Sequence, residues 1–544
     1  MKGNDMINKF SSLIQIIFLA TGVMCWQFLF PFIEAVDTHF VMNIGRYVLE
    51  HGIPYVDPFT IHENITLVAQ QWLSGVFFWE AYKNFGINGL IFIDCAVATL
   101  SAIIYWRLCL FVSDGQKILS FVMAFLVSMA ITVMIVPRPH IFSALIFVTE
   151  IFLLEKFTRT GEGKFLLPLP LLSILLINCH AAVWMISLVL CLPFLFVKDN
   201  RHIKFLVATM FAMFLCGFVN PYGIDAMTYV LRSYGIGLIN ERIPEMFSPT
   251  AHDFSGKIFF LTEIILVVVL TKVKVPLRYI FLCGGITFMA LMHVRNIMLF
   301  YLIATFPIAY ALKDLDSKKF LSKTLPLMIA FLLVLAVNTI MVTMILSDGL
   351  GKLSAPLLVL FTVVALVIIY NLFIVRSEGR ILHPTILSQK ILWLFATALV
   401  TTILAFSTTY QNKQPDTYSK AIEFILRTER PEDVRLYVTQ GIGGLAGSYG
   451  IRYYIDSRSE VFLPVNNAAH KNIFAEYLKF TSGEIYYRDF FSRYDFTHII
   501  VTSDDSFIFD ELSHDKDFRV IYESERVDGS KVTRCKIFVP KVGD

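Results

Sequence analysis

The sequence predicts a polytopic α-helical membrane protein with a small soluble α/β domain at its C-terminal end. Three observations support this fold class. Of the 544 residues, 56% are hydrophobic and only 16% are charged, whereas soluble proteins carry about 25% charged residues. Apolar segments of bilayer length recur over the first 410 residues. After residue 410 the chain becomes polar, with 18 Lys and Arg and 21 Asp and Glu. The net charge of +3 does not by itself indicate a nucleic-acid partner.

The apolar segments predict about 13 transmembrane helices. A crossing needs about 20 mostly apolar residues, and fewer when the helix is buried among others. The candidate segments are 12–33, 87–112, 116–137, 140–157, 165–179, 182–198, 203–218, 257–272, 277–292, 297–312, 324–347, 355–375 and 389–410. The first segment is too long for the core of a signal peptide and is expected to remain as an anchor.

The distribution of basic residues predicts the orientation. With a cytoplasmic N-terminus, the inner loops carry 19 Lys and Arg in 68 residues, and the outer segments carry 7 in 109. Cytoplasmic loops of membrane proteins are enriched in Lys and Arg. We therefore expect a multi-pass protein of the cytoplasmic (inner) membrane with its N-terminus inside.

An odd number of crossings places the tail outside the cytoplasm. The expected domains are a transmembrane domain at 1–410 and an extracytoplasmic α/β domain at 411–544. Short strand-like runs in the tail are separated by turns rich in Gly and Asp. These runs are Val434–Thr439, Ile451–Ile455, His498–Thr502, Phe518–Tyr522 and Cys535–Val539, preceded by a predicted helix at Ala421–Arg427.

The longest outer loop before the tail, 34–86, is predicted to contain two amphipathic helices. Val41–Glu50 fits a short helix that ends near Gly52. Residues 53–60 form an extended segment fixed by two prolines. Ala69–Asn84 is rich in aromatic residues and fits a helix at the membrane interface.

Polar residues gather at the outer ends of the predicted helices. Such groups are costly beside hydrocarbon unless they are paired or line a cavity. Single clusters of this kind also serve as interfacial anchors, but five on one face favour a shared wet cavity. The clusters are Glu34 with Asp37–His39, Arg138–His140, Asn178–His180, Asn220–Gly223 and His293–Asn296.

Several of these segments resemble motifs of bacterial GT-C-type integral membrane glycosyltransferase-like proteins. In the first loop they are Asp37-Thr-His-Phe, Gly45-Arg-Tyr, Gly52-Ile-Pro, Asp57-Pro-Phe-Thr and Gln71-Trp-Leu. Later matches are Arg138-Pro-His-x-Phe-Ser, Asn178-x-His, Asn220-Pro-Tyr-Gly and Arg295-Asn-Ile, followed in the tail by Gly443-Gly and Ile455-Asp-Ser-Arg. One position departs from the pattern, since Gln70 replaces the His of His-x-Trp-Leu.

The resemblance implies an inverting hexosyl- or pentosyltransferase. Such an enzyme moves a sugar from a polyprenyl-phosphate donor to a lipid, glycan or protein acceptor on the outer face of the membrane. The reaction needs a base for the acceptor hydroxyl and cationic groups for the departing phosphate.

Asp37 is the expected base, because it follows the first apolar segment and matches the acidic position of the resembled motif. The structural alternative is that Asp37 caps a helix beginning near Phe40. Glu34 is a second candidate, or a partner that raises the pKa of Asp37 through like charge. Asp57 has two possible roles. In a functional role it positions the acceptor or ligates a cation, and in a structural role it fixes the Asp-Pro turn.

Guanidinium groups are the best candidates for phosphate binding, because they offer a bidentate fork to phosphate oxygens. Arg138 and Arg295 are therefore the first candidates. Additional donors or packing groups are expected from His140, His180, His293, Asn220 and Tyr222. The histidines also fit structural roles, and Tyr222 also fits an aromatic belt. Glu241 and Glu245 in the outer loop 219–256 are not ranked by the sequence.

No cofactor is expected. The outer clusters contain no Asp-x-Asp pair and the chain lacks a His-x-x-x-His pair, so a divalent metal has no support, and arginine makes it unnecessary. Gly441–Gly444 is predicted to be a turn between strands rather than a phosphate loop, and Asp456 is expected to pair with Arg458. The alternative function is a non-catalytic lipid-handling or flippase-like protein of cell-envelope assembly on the same scaffold.

Overall fold

The fold was examined in a computed structural model of the chain. The structure describes residues 36–132, 136–197, 199–233, 237–252, 254–314, 417–467, 469–528 and 531–541, together with nine residues between 12 and 23. The predicted spans 324–347, 355–375 and 389–410 lie outside the described residues, as do Glu34 and the predicted domain boundary at 410. The count of thirteen helices therefore stays a prediction.

The predicted first outer loop, called the first loop below, contains two helices whose backbones touch. Helix α1 spans Val36–His51 and α2 spans Trp72–Phe85. A Cβ atom on Gly45 would lie 2.0 Å from the carbonyl oxygen of Gly75, so only glycine permits this crossing. Helix α1 ends before Gly52, whose φ of +86° suits glycine. Both helices were predicted, at Val41–Glu50 and Ala69–Asn84. In the structure α1 begins at Val36 and α2 begins at Trp72.

Apolar helices occupy most of the predicted spans between 87 and 312. They are α3 (Ile87–Val112), α4 (Lys117–Thr132), α5 (His140–Thr160), α6 (Pro168–Cys179), α7 (Trp184–Cys191), α8 (Asn200–Cys216), α9 (Phe254–Lys272), α10 (Leu277–Met292) and α11 (Val294–Ala311). Helix α11 contains a π-helical turn at Phe300–Ala304. In the described part of the chain, α3 and α11 are long and apolar enough to cross a bilayer. Only 39% of the most apolar stretch of α3 is buried, compared with 83% for α11.

The C-terminal region folds around a five-stranded mixed sheet, as predicted. The chain order is α12 (Thr417–Ile425), β1 (Arg435–Tyr437), α13 (Gly443–Ser448), β2 (Arg452–Tyr453), α14 (Ile473–Thr481), α15 (Tyr487–Phe491), β3 (His498–Thr502), α16 (Ser506–His514), β4 (Phe518–Asp528) and β5 (Lys531–Pro540). The strand order is β2-β1-β3-β5-β4. Strand β1 is parallel to β2 and β3, whereas β5 is antiparallel to β3 and β4.

One prediction for this region is wrong. Gly443 and Gly444 begin helix α13 instead of forming a turn between strands. A Cβ atom on Gly443 would lie 2.1 Å from the carbonyl oxygen of Ile455. The glycines therefore allow a short helix to pack closely beside the chain that follows β2, as the crossover between two parallel strands requires.

The first loop covers the free edge of strand β2. Thr60 forms a parallel bridge with Tyr453. The Ile61 amide donates to the Tyr453 carbonyl at 3.0 Å, and the Tyr453 amide donates to the Phe59 carbonyl at 3.4 Å. A second bridge joins Ile65 to Asn467. The unpaired backbone groups of a strand edge can pair with other chains and cause aggregation. Here the first loop forms hydrogen bonds with the backbone groups of this edge.

Candidate functional site

Three segments that are predicted to lie on the outer face meet at the guanidinium group of Arg138. One of its Nη atoms contacts the carboxylate of Asp37, which lies in the first turn of α1. The other donates to Glu245 Oε1 at 2.7 Å. The Arg138 side chain is 26% exposed, Asp37 is 19% exposed and Glu245 is 46% exposed. The arginine thus bridges two carboxylates at a partly open position.

The local fold places Asp37 inside α1 rather than ahead of it. The helix begins at Val36, so Asp37 is a first-turn residue and the predicted cap of a helix near Phe40 is wrong. A carboxylate in the first turn is stabilised by the helix dipole. The neighbouring Thr38 hydroxyl donates to the Pro137 carbonyl at 3.1 Å, which fixes this turn beside Arg138.

Arg295 lies close enough to this site for its charge to act on Glu245 and His180. The His293 ring nitrogen Nδ1 bonds to the Met246 carbonyl at 2.6 Å, and the Val294 amide donates to the Phe247 carbonyl at 2.9 Å. Arg295 Nη1 lies 3.7 Å from the sulfur of Met246. The segment that carries Arg295 is therefore anchored to the turn that carries Glu245.

Glu245 is held ionised by its cationic neighbours. Burial on its own would raise the pKa of this carboxyl, but Arg138, then Arg295 and His140, bring the pKa below its ordinary value. The sequence did not rank Glu245 against Glu241. The contact with Arg138, 107 residues away, ranks Glu245 first.

His180 is buried beside this cluster in a neutral form. Its Nδ1 shares a hydrogen bond of 2.8 Å with the hydroxyl of Ser143. Burial, and then the positive charges of Arg295, His140 and Arg138, lower the pKa of His180 far below its ordinary value. A neutral imidazole can donate or accept a hydrogen bond without adding charge.

Hydrogen bonds of Gln70 and Trp72 join the first loop to residues 178–182. The Gln70 side chain accepts from the Ala182 amide at 3.0 Å, and its carbonyl accepts from Ala181 at 2.9 Å. Trp72 donates to the Asn178 side chain at 3.0 Å. Gln70, which departs from the resembled motif, thus joins the first loop to the turn after α6.

Asn220 and Tyr222 are engaged away from the cluster. Asn220 closes its own turn by donating to the carbonyls of Gly217 at 2.7 Å and Gly223 at 3.0 Å. The Tyr222 hydroxyl donates to the Pro54 carbonyl at 2.8 Å, and the ring packs edge-on against Tyr55. Their proposed contact with substrate stays a prediction.

Asp57 belongs to a buried ionic group between the first loop and the C-terminal region. Its carboxylate accepts from Arg458 Nη1 at 2.7 Å and from the Thr60 hydroxyl at 2.8 Å. Arg458 also pairs with Asp456 at 2.7 Å, which confirms the pairing expected from the sequence. Both carboxylates are 0% exposed. This geometry supports the structural interpretation of Asp57.

A metal site does not emerge from the described ranges. In them, no group of three or more His, Cys, Asp or Glu side chains is arranged to hold an ion. The role of a divalent metal stays untested.

Comparison with solved structures assigns the fold. The chain is similar to the oligosaccharyltransferase of Archaeoglobus fulgidus in its apo form, with a TM-score of 0.50 and 11% identity, over 91% of this chain and 70% of that chain. A structure of that enzyme tethered with an acceptor peptide gives a TM-score of 0.43 at 11% identity, over 91% and 69%. ArnT from Cupriavidus metallidurans, bound to undecaprenyl phosphate, gives 0.46 at 11% identity, over 98% of both chains.

The similarity to the apo oligosaccharyltransferase confirms the GT-C-type fold expected from the sequence motifs. No protein-family model matches the sequence, and no curated protein matches it either.

Proposed function

We propose that the chain is a membrane glycosyltransferase that moves a sugar from a polyprenyl-phosphate donor to an acceptor on the outer face of the cytoplasmic membrane. The observation that carries the proposal is the contact of Asp37 with Arg138, 101 residues away in the sequence. It brings a carboxylate and a guanidinium to one partly exposed position. The similarity in fold to an oligosaccharyltransferase supports the same class of reaction.

The proposed reaction assigns a separate task to each charge. The acceptor oxygen attacks the anomeric carbon while its proton moves to the Asp37 carboxylate. The bond from the anomeric carbon to the phosphate oxygen breaks, and its electron pair stays on the lipid phosphate. Arg138 and Arg295 stabilise that phosphate, because each guanidinium group can donate two parallel hydrogen bonds to phosphate oxygens. Attack opposite the leaving phosphate inverts the anomeric centre.

Arg138 has to exchange partners during this cycle. A carboxylate that is paired with a guanidinium is a weak base, because the pairing favours the ionised form. An incoming phosphate competes for the donors that Asp37 and Glu245 now occupy. Donor binding would therefore release Asp37 toward the acceptor hydroxyl, so that the base becomes active only when the donor is present.

The neutral histidine and the second arginine fit the same task. His180 can donate a hydrogen bond to the leaving phosphate without adding to the repulsion between Arg138 and Arg295. Glu245 balances this positive charge when no phosphate is bound. Asp57 is left out of the chemistry because Arg458 and Thr60 occupy its carboxylate.

The test is Asp37→Asn in the full chain reconstituted in lipid bilayers. The readout is release of polyprenyl phosphate from a panel of polyprenyl-phosphate sugars in the presence of membrane-extracted acceptors. Asparagine keeps the size of the side chain but cannot take the proton, so the rate should fall by about 10²- to 10⁴-fold. Glu50→Gln is the matched control, because Glu50 is exposed at the other end of the same helix.

Two results would redirect the proposal. Transfer at the wild-type rate in Asp37→Asn would remove Asp37 as the base. A wild-type protein that binds polyprenyl phosphate but consumes none of the donors would instead favour the non-catalytic lipid-handling function.

A further inference from the structure

The C-terminal region docks directly on the helix that carries Asp37. Helix α13 lies along α1 with unusually close backbones. A Cβ atom on Gly444 would lie 3.1 Å from the Phe40 amide nitrogen, and one on Gly447 would lie 2.7 Å from the Asn43 side chain. Glycine at these two positions therefore permits the contact.

Hydrogen bonds then fix this packing in register. Asn43 Nδ2 donates to the Gly444 carbonyl at 2.7 Å. Arg46 donates from its two Nη atoms to the carbonyls of Gly447 and Ser448, both at 2.8 Å. These carbonyls lie at the end of α13, where backbone acceptors lack partners within the helix. Arg46 satisfies both with one planar group.

The opposite side of α1 is held by α2. The Gly45–Gly75 crossing brings the two backbones into contact. The Arg46 guanidinium also lies over the ring of Trp79 in α2, 5.4 Å from its centroid. Arg46 thus contacts α2 and α13 together from the middle of α1.

The buried ionic group adds a second connection near the start of α1. The Arg458 guanidinium lies 5.8 Å from the ring centroid of Phe40 and 5.4 Å from that of Phe59. Phe40 follows Asp37 by less than one helical turn. Contacts from the C-terminal region therefore reach along α1 from Arg46 to within one turn of the proposed base.

We infer that Arg46 is a positioning residue, through which the C-terminal region holds α1 so that Asp37 meets Arg138. Arg46 lies nine residues after Asp37, about 13 Å along the helix, and it does not act on substrate itself. The inference rests on the proposed function for its effect on catalysis. Its structural part, that docking of α13 orders the first turn of α1, holds for any function of the site.

The experiment compares Arg46→Ala and Arg46→Lys with the wild-type full chain in lipid bilayers. Hydrogen exchange over 36–51 reports the order of α1, and donor kinetics report kcat and KM. Arg46→Ala should increase exchange at 36–40 and lower kcat by about 10- to 100-fold. KM for the donor should not rise, because Arg138 and Arg295 lie outside α1 and a loosened Asp37 competes less with phosphate for Arg138. Arg46→Lys keeps one hydrogen bond to a backbone carbonyl. It should restore part of the protection at 36–40 and part of kcat.

Two further variants separate positioning from general destabilisation. Gly447→Ala disturbs the same contact from the other side and should reproduce the effects of Arg46→Ala. Arg534→Ala removes an exposed pair with Glu525 in the same C-terminal region and should leave exchange and kcat unchanged. A lower melting temperature with unchanged kcat would mean that Arg46 is only structural, and would overturn the inference.

Failure of the proposed function gives a different pattern. If the wild type transfers no sugar, the exchange measurement still decides the structural part. Unchanged exchange at 36–40 in both Arg46→Ala and Gly447→Ala would overturn it, whereas increased exchange would support it.

Discussion

The Asp37 carboxylate contacts the Arg138 guanidinium across 101 residues of sequence. The same guanidinium donates to Glu245, so the resting site holds an arginine between two acids. With Arg295 nearby, two guanidinium groups and two carboxylates leave the site close to neutral. An anion can bind to Arg138 only if a carboxylate moves away.

Arg295→Ala should slow sugar transfer strongly while the protein still folds. Removing one of two guanidinium groups leaves the departing phosphate with half of its fixed positive charge, so the rate should fall by about 10²- to 10³-fold. Release of polyprenyl phosphate measures the effect. Arg201→Ala, at the start of α8 near the predicted inner face, is the control. Full activity in Arg295→Ala would exclude Arg295 from phosphate stabilisation.

Glu245→Gln should strengthen the binding of polyprenyl phosphate. The change removes a carboxylate that competes with phosphate for Arg138. Because Glu245 is 46% exposed, solvent screens its charge, and we expect a three- to tenfold lower Kd. The gain should shrink as salt is raised. Glu241→Gln, four residues earlier in the same loop, should leave Kd unchanged. Weaker binding in Glu245→Gln would show that Glu245 shapes the site rather than competing for it.

His62 should make docking of the first loop pH-dependent. Burial lowers the pKa of this imidazole to about 4, while its ring bonds to the Tyr454 carbonyl at 2.8 Å. Between pH 6.5 and 4 the unfolded state binds the extra proton, so stability falls as the pH is lowered through this window. The loss should be about 1 to 3 kcal/mol, measured by the melting temperature at pH 7.5 and pH 4.5. His62→Gln keeps a donor but does not titrate, so its pH dependence should be smaller. If the melting temperatures of the wild type and His62→Gln fell equally between pH 7.5 and pH 4.5, His62 would not be the source of the pH dependence.

Asp57→Asn should destabilise the junction between the first loop and the C-terminal region. The change leaves the buried Arg458 with a single carboxylate partner, and breaking a buried ion pair costs about 3–5 kcal/mol. Differential scanning fluorimetry should show a lower melting temperature. Glu63→Gln, an exposed acid of the same loop, is the control. If Asp57→Asn retained full stability but lost donor or acceptor binding, Asp57 would belong to the substrate site after all.

Much of the architecture was accessible from local sequence patterns. The apolar stretches at 87–112 and 277–292 match α3 and α10 at both ends, and the strand at His498–Thr502 matches β3. Hydrophobic length and β-branched composition are local properties. The pairing of Asp456 with Arg458 was also foreseen, because only one residue separates them in the chain.

The choice among site residues required the tertiary structure. The sequence predicted Asp37, Arg138 and Arg295 to lie on one membrane face, but it did not distinguish Glu245 from Glu241, nor a chemical role of Asp57 from a structural one. The geometry joins Glu245 to Arg138 and Asp57 to Arg458, the latter across 401 residues. A charge finds such a distant partner only after the backbones have packed.

By itself the sequence determined where most of the described helices and strands form, because burial and turn preferences act over a few residues. The tertiary structure decided which charges pair and how α13 lies on α1. That contact depends on Gly444 and Gly447, whose missing side chains matter only against a neighbour far away in the chain.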